Sequence, residues 1–528
     1  DDIIGRIYEY FLGKFAPAVA SDDGVFFTPK SLVRMIMNVI EPVRGTMLDP
    51  ACGSGGMFVS ASDYVREQGG NPAQSMMFYG QEKVDYNAKL CLMNMAVHGM
   101  QGNIKSGDEA NSFYHDAHTL EGACDYVAAN PPFNVDKVKW SAAVDAGRLP
   151  LGAPKENKKH EVSTSGANYL WINYFYSYLN DHGRAGFVMA SSATDSNAER
   201  AQRRALVEAS AVDVMLYVGN NFFYTKSLPC SLWFLDKGKP EHLLDTVLFI
   251  DARNYYTVVD RTQNEWSDWQ LKNLNAIVWL YRGEVDKYKV LLAEYHAELA
   301  DDRPFAEIQA ALEQNVQAKR EEAKAAVEAA PRKERKTTQE KFDKELEALN
   351  EKLTVAKEAV WLTEKFGEGA YQDIPGLCKV ASRDTILNEK GASLTPGAYV
   401  GVAPVEADGV DFAILRVGGR GYTEGGLYAD TKFEQNLQGA LDAGLEVGVY
   451  FFSQAITVEE ALEEARFVLE RVRDYDLTMP VVFDWEMVSD SSARTNAIDS
   501  DTMNEVALAF CGAIQEEGYE SMIYFNSY

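Results

Sequence analysis

A chain of 528 residues with 46% hydrophobic and 11% aromatic side chains is too long for one ordinary domain and rich enough to bury several cores. Six scattered cysteines without Cys-x-x-Cys pairs or zinc-type His spacing exclude a metal module and a disulfide framework, and read as reduced thiols of a cytoplasmic protein. A net charge of −28 argues against strong unaided binding to nucleic acid; no apolar run reaches membrane-spanning length, and Asp1 opens no signal peptide.

In chain order, Thr46-Met47-Leu48 reads as a short buried strand ending in Asp49. A turn of small residues follows, Pro50-Ala51-Cys52-Gly53-Ser54-Gly55-Gly56, and then a helix from about Met57 with apolar Phe58, Val59, Ala61 and Tyr64. Strand, glycine turn and helix together form the setting in which backbone can approach a ligand without a Cβ in the way, beside the free N–H groups of a helix start. The spacing is neither the dinucleotide pattern nor a P-loop. Met77 to Glu82 reads as a second strand ending in an acid, where a doubly wound fold holds ribose hydroxyls. Asn103 to Asp108 supplies a third strand-end acid, placed to meet an adenine amine. Asp125 to Ala129 is a fourth strand, and it delivers Asn130-Pro131-Pro132-Phe133.

That tetrapeptide suits a planar exocyclic amine, whose lone pair is delocalised into its ring. The Asn130 side-chain carbonyl and the carbonyl of the next residue can accept both amine hydrogens. The two prolines fix the backbone that presents them, and Phe133 offers a ring face for an extruded base.

Residues 134–168, with Lys155-Glu156-Asn157-Lys158-Lys159-His160, read as a long mobile loop able to close over DNA. Tyr169 to Phe175 starts an apolar helix and Gly186 to Ala190 a core strand. Arg200, Arg203 and Arg204 share a helix that can meet phosphates, and Leu228 to Leu235 reads as a late strand. From Arg282 to Gly367 the Ala/Glu/Lys-rich pattern predicts a helical hairpin with arms near 305–329 and 337–365, split at Pro331.

With these motifs in place, residues 25–265 resemble the modification (methylase) subunit of type I restriction–modification systems, a family of adenine-specific DNA methyltransferases. Phe27-Thr28-Pro29-Lys30 is similar to the family's segment before the cofactor loop, which contacts the methionine part of S-adenosylmethionine. The resemblance makes Asp49, Ala51, Gly53, Ser54 and Gly55 the cofactor loop, Glu82 the ribose acid, and Asn130 to Phe133 the target-amine motif. Asp2 to Phe11 resembles the point where a helical N-terminal domain joins the catalytic one. The implied partners are double-stranded DNA, a DNA-specificity subunit, a restriction subunit and a second methylase subunit, with no membrane. A glutamine-modifying protein methyltransferase uses a similar Asn-Pro-Pro-aromatic site and stands as the alternative, against which the Phe-Thr-Pro segment argues. A non-catalytic assembly protein built on the 305–365 hairpin is a third reading.

The end of the chain has a second character. Ser393 to Pro404 still resembles the methylase tail, whereas strands at 413–418, 446–452 and 480–486 alternate with helices near 431–443, 457–474 and 500–517, in β/α-barrel grammar. Asp484 and Glu486 lie two apart, so both carboxylates are expected on one face of one strand, in the catalytic position of such barrels. Residues 408–528 resemble the glycoside hydrolase family 25 lysozymes, which makes Glu486 the proton donor of an Asp-x-Glu pair. The family's first and final strands are expected outside this segment. The expectation is therefore a join of two coding fragments, an incomplete barrel and no lysozyme activity. Charge divides along the same line: residues 401–528 hold 24 acids against 7 bases, net −17, leaving −11 on the first 400.

The expected organisation is thus α/β throughout: the end of a helical region at 1–24, a Rossmann-like S-adenosylmethionine-dependent domain at 25–280, a helical partner-docking segment at 281–367, a tail at 368–407, and a partial barrel at 408–528.

Overall fold

The computed structural model describes residues 28–223, 229–260, 263–402, 411–475, 477–486 and 493–524. The chain forms two compact units, Asp1–Ala403 and Pro404–Tyr528.

In the first unit, β1 (Gly45–Asp49), β2 (Met76–Glu82), β3 (Asn103–Ser106), β4 (Cys124–Ala129), β5 (Leu179–Ala190), β6 (Val212–Val218), β7 (Cys230–Asp236) and β8 (Thr246–Ala252) join one sheet with a strand at Cys378–Ser382. The order across the sheet is 378–382, β8, β6, β7, β5, β4, β1, β2, β3. β7 runs antiparallel to β5 and β6, and the 378–382 strand runs antiparallel to β8; the remaining pairs are parallel. The chain builds β1, β2 and β3 outward in one direction and then returns to lay β4 on the other side of β1. That reversal leaves a crevice beyond the carboxyl ends of β1 and β4, the place where open α/β sheets bind ligands.

Strand periodicity explains the double-sided core. Met47 of β1 packs into one apolar cluster and Leu48 into the other, and on β7 Leu232 and Phe234 alternate with Trp233 and Leu235 in the same way. One face is covered by helices Lys30–Ile40, Gly56–Glu67, Asp85–Val97 and Asp268–Arg282, the other by Thr164–Tyr178 and Arg200–Glu208. Local signals set helix limits: Ser267 and Gln270 form a reciprocal capping box, and Gly283 ends that helix in the left-handed region at φ 78°. The expected hairpin forms, with arms Phe305–Ala329 and Arg335–Phe366.

Two expectations are corrected here. Residues 134–168 are anchored along their length: Val138, Ala143, Leu151 and Val162 are buried, and the indole of Trp140 donates to the Pro154 carbonyl at 2.9 Å. The Lys155–His160 stretch keeps an exposed, polar character, as do Asn134, Asp136 and Lys137, while apolar residues of the segment enter the core. Arg203 does not face solvent. It is 1% exposed and donates to the carbonyls of Ala392 (2.6 Å) and Ser196 (2.8 Å), so its charge serves internal carbonyls rather than phosphates. Arg204 pairs with Glu208 on its own helix.

In the second unit, strands Phe412–Arg420, Glu446–Ser453, Val481–Trp485 and Ser521–Tyr524 run parallel, and Leu427–Ala429 pairs antiparallel outside the first. Helices Phe433–Asp442, Val458–Val472 and Ser500–Glu516 alternate with them, as part of a β/α barrel does. Val447, Val449, Phe451, Val481 and Phe483 pack on one core with Ala461, Val468, Phe510 and Ile514 of the helices.

Candidate functional site

The glycine turn is shaped by its neighbours. Gly53 lies at φ +51° with open space where a Cβ would be. Gly55 caps the following helix at φ +80°, and a Cβ there would stand 2.7 Å from the Cys91 sulfur. The turn is tied to β2, since Cys52 N–H donates to the Gln81 carbonyl at 3.0 Å. The Glu82 carboxylate accepts from Gly53 N–H at 3.0 Å and from Val84 N–H at 2.9 Å. Burial raises the Glu82 pKa, opposed by those N–H groups and by Asn87. Asp49 is 1% exposed and accepts from Ala51 N–H at 3.0 Å; burial, with a smaller contribution from the Glu82 charge, pushes its carboxyl up to about 8.

β4 delivers Asn130 beside β1, with Leu48 level with Val127. The Asn130 side-chain NH2 donates to the Thr28 hydroxyl at 2.9 Å, which leaves the amide oxygen of Asn130 as its acceptor end. Pro131 is buried, and Phe133 is half-buried against both core clusters. A cavity of about 790 Å³ has Ala51, Gly53, Ser54 and Glu82 in its wall together with Asn130 to Phe133. This is the size range of sites for small-molecule cofactors, and no histidine or cysteine is among the described residues that line it.

The remaining residues expected at this site are distributed as follows. Asp49 and Gly55 lie behind the wall as supports, and Thr28 acts through Asn130. Pro29 precedes the Lys30–Ile40 helix as its cap position, with Lys30 exposed. Phe27 lies outside the described residues. Asp108 is not brought to the cavity. Gly107, at φ +85°, redirects the chain after β3 and leaves Asp108 exposed on a short 3-10 turn. Asn111, Ser112 and Phe113, which follow it, line the cavity. The loop carrying them is held by Gln81, which is fully buried, donates to Ser112 Oγ at 3.0 Å and to the His115 carbonyl at 3.1 Å, and accepts from Ala117 N–H at 3.1 Å. A polar residue inside an otherwise buried strand was the available signal for Gln81; nothing local marked Asn111 or Ser112.

In the second unit, Asp484 pairs in register with Phe452 and Tyr524. Its Oδ1 is buried without a hydrogen bond among the described residues, and burial, followed by repulsion from Glu486, pushes the carboxyl up to about 6. The two acids are therefore close enough to interact. Glu486, however, stands one residue beyond the strand rather than on it. The ladder ends at the Ser453–Trp485 pair, and the Gln454 side chain takes the Glu486 carbonyl at 3.0 Å.

The chain is 37% identical over 312 residues to the type I restriction enzyme MjaIX methylase subunit of Methanocaldococcus jannaschii, covering 58% of this chain and 52% of that protein. It is 34% identical over 269 residues to the HindI methylase subunit of Haemophilus influenzae, covering 50% and 58%. The chain thus spans about half the length of the curated relatives it matches. A crystal structure of a type I restriction–modification methyltransferase subunit from Streptococcus thermophilus aligns at 21% identity with a TM-score of 0.49, over 76% of this chain and 64% of that one. Residues 398–528 match the glycosyl hydrolases family 25. Residues 1–303, more than half of the sequence, match the N-6 DNA methylase family, and the chain belongs to that family.

Proposed function

We propose that the first unit is the adenine-specific DNA methyltransferase subunit of a type I restriction–modification system, using S-adenosylmethionine. The observation that carries this reading is that one cavity has both the glycine turn with Glu82 and the Asn130 to Phe133 segment in its wall. The residues fit the cofactor. The space over Gly53 is open to a ligand, and the Glu82 carboxylate at the tip of β2 matches ribose hydroxyls. Ala51, Gly53, Ser54 and Glu82 would hold it, with Asn111 to Phe113 closing the far side. When bound, the cofactor supplies an electrophilic methyl group on a sulfonium. The chain's part is to make the adenine amine a nucleophile. Asn130 Oδ1 and the Pro131 carbonyl accept its hydrogens, which returns the lone pair to nitrogen, and Phe133 stacks on the extruded base. No strong base is required for this step.

The acidic balance of the chain assigns most of the DNA grip to partners: a specificity subunit that reads the sequence, together with a second methylase subunit and a restriction subunit. The test is transfer of a labelled methyl group to duplex DNA, with and without a specificity subunit. Asn130→Ala should keep cofactor binding and lose transfer; undiminished labelling by that variant refutes the assignment.

The acid pair of the second unit supports an alternative activity, hydrolysis of peptidoglycan, because two neighbouring carboxyl groups, Asp484 raised to about 6 by burial and by Glu486, are the equipment of glycoside cleavage. Against it, the described strands form an open sheet. Clearing of cell-wall suspensions that disappears in Glu486→Gln would assign this chemistry; no clearing by the unaltered chain would remove it.

A further inference from the structure

We infer that Asn168 is a positioning residue for the target-amine motif, an inference that rests on the methyltransferase reading above. Asn168 lies on the Thr164–Tyr178 helix, which is capped by Ser163, whose hydroxyl accepts from Gly166 N–H at 3.0 Å. It is 1% exposed, and both ends of its amide are used by one residue. Its Oδ1 accepts from Asn134 N–H at 2.8 Å, and its Nδ2 donates to Asn134 Oδ1 at 2.9 Å. Asn134 directly follows Phe133 and sits in the left-handed region at φ 53°, where the chain turns away from the motif. The clamp therefore holds the exit of the motif at the point where backbone conformation is least favourable.

The same helix grips the segment again further on. Asn173, fully buried, accepts from Leu151 N–H at 2.9 Å. Between the two asparagines, Trp171 lines the cavity and packs on Phe113, with ring centroids 4.6 Å apart. The helix thus acts as a rigid backing for Phe133 and Asn134. The hydrogen bonds that shape the glycine turn run to Asp49, Gln81, Glu82, Asn94 and Ser112, and those of the Asn168 side chain run to Asn134. Loosening the clamp should therefore degrade placement of the extruded base and leave the cofactor side intact.

The test uses the full chain assembled with its DNA-reading partner: transfer is read on a duplex that the unaltered complex methylates, and base extrusion on a matching duplex in which 2-aminopurine, which has no 6-amino group to methylate, replaces the target adenine. Asn168→Leu keeps the branched shape and removes both bonds. Asn168→Asp keeps the acceptor for Asn134 N–H, and the exposed Asn134 amide can turn over to donate its NH2. Asn168→Leu should lower kcat by roughly tenfold to a hundredfold, as a misplacement of about 1 Å does, with a weakened 2-aminopurine signal and unchanged S-adenosylmethionine affinity. Asn168→Asp should recover most of both. A packing role predicts the opposite order, since Leu suits a buried site better than a carboxylate. The inference is overturned if Asn168→Leu matches the unaltered chain, if Asp does no better than Leu, or if cofactor affinity falls in step with transfer. An unaltered complex that transfers no methyl group overturns the methyltransferase reading, and the inference with it.

Discussion

Two adjacent glycines should respond to alanine with opposite signs. Gly55→Ala meets two obstacles. Its φ of +80° places an L-residue in the left-handed region, at a cost of about 1–2 kcal/mol, and the new methyl would stand 2.7 Å from Cys91 Sγ. Crowding of that kind in a packed interior costs about 1–3 kcal/mol, so the total destabilisation is roughly 2–5 kcal/mol. The Cys91 Cβ lies 3.6 Å away, an ordinary contact, so Cys91→Ala in the same chain should relieve the crowding and leave the φ cost in place. Gly56 is the control. It is exposed at the first position of the Gly56–Glu67 helix with nothing near its missing Cβ, and Gly56→Ala should stabilise by about 0.5–1 kcal/mol. Urea unfolding followed by tryptophan fluorescence reads this unit, because seven of the eight tryptophans fall within it. Cofactor titration then reports whether the turn keeps its shape. Gly55→Ala with undiminished stability, or no recovery on adding Cys91→Ala, would refute the account of why the turn carries glycine there.

Three further outcomes are expected. Thr28→Val removes the acceptor that orients Asn130, a loss of about 1–2 kcal/mol at a half-buried site, and should slow methyl transfer roughly fivefold to thirtyfold at saturating cofactor; unchanged turnover contradicts the assigned orientation. Asp49, raised to about 8 in the folded chain, keeps a proton there that the unfolded chain releases from about pH 4. Its contribution to stability is thus fully present below pH 4 and lost as pH rises through 8. Asp49→Asn should flatten this part of the thermal-stability profile between pH 4 and 8, and an unaltered slope would count against the raised carboxyl. Arg203→Met should destabilise the first unit by about 2–4 kcal/mol by stranding buried carbonyls, while the salt dependence of DNA binding stays unchanged; a shallower salt slope would return Arg203 to the DNA surface.

By itself the sequence determined what is written in short, contiguous patterns. β1, the glycine turn, β2 and β4 were legible because alternating apolar residues, small residues at a tight turn and a proline pair are local requirements of strand, loop and rigid amide presentation. Glu82 and Asn130 followed as strand-end residues, and the helical hairpin followed from its periodicity. Tertiary structure alone decided which chemically plausible residues reach the cavity. Asp108 looked like Glu82 in sequence but lies exposed after Gly107, while Asn111 to Phe113 line the cavity, with Ser112 held by the buried Gln81. Arg203 looked like a phosphate ligand until a carbonyl 189 positions away claimed it. The clamp of Asn168 on Asn134 joins two elements 34 positions apart, and the 378–382 strand reaches β8 only once the helical hairpin has returned the chain to the sheet. A side chain's partner across the fold depends on how layers pack and in what register, and no short window of residues contains that information.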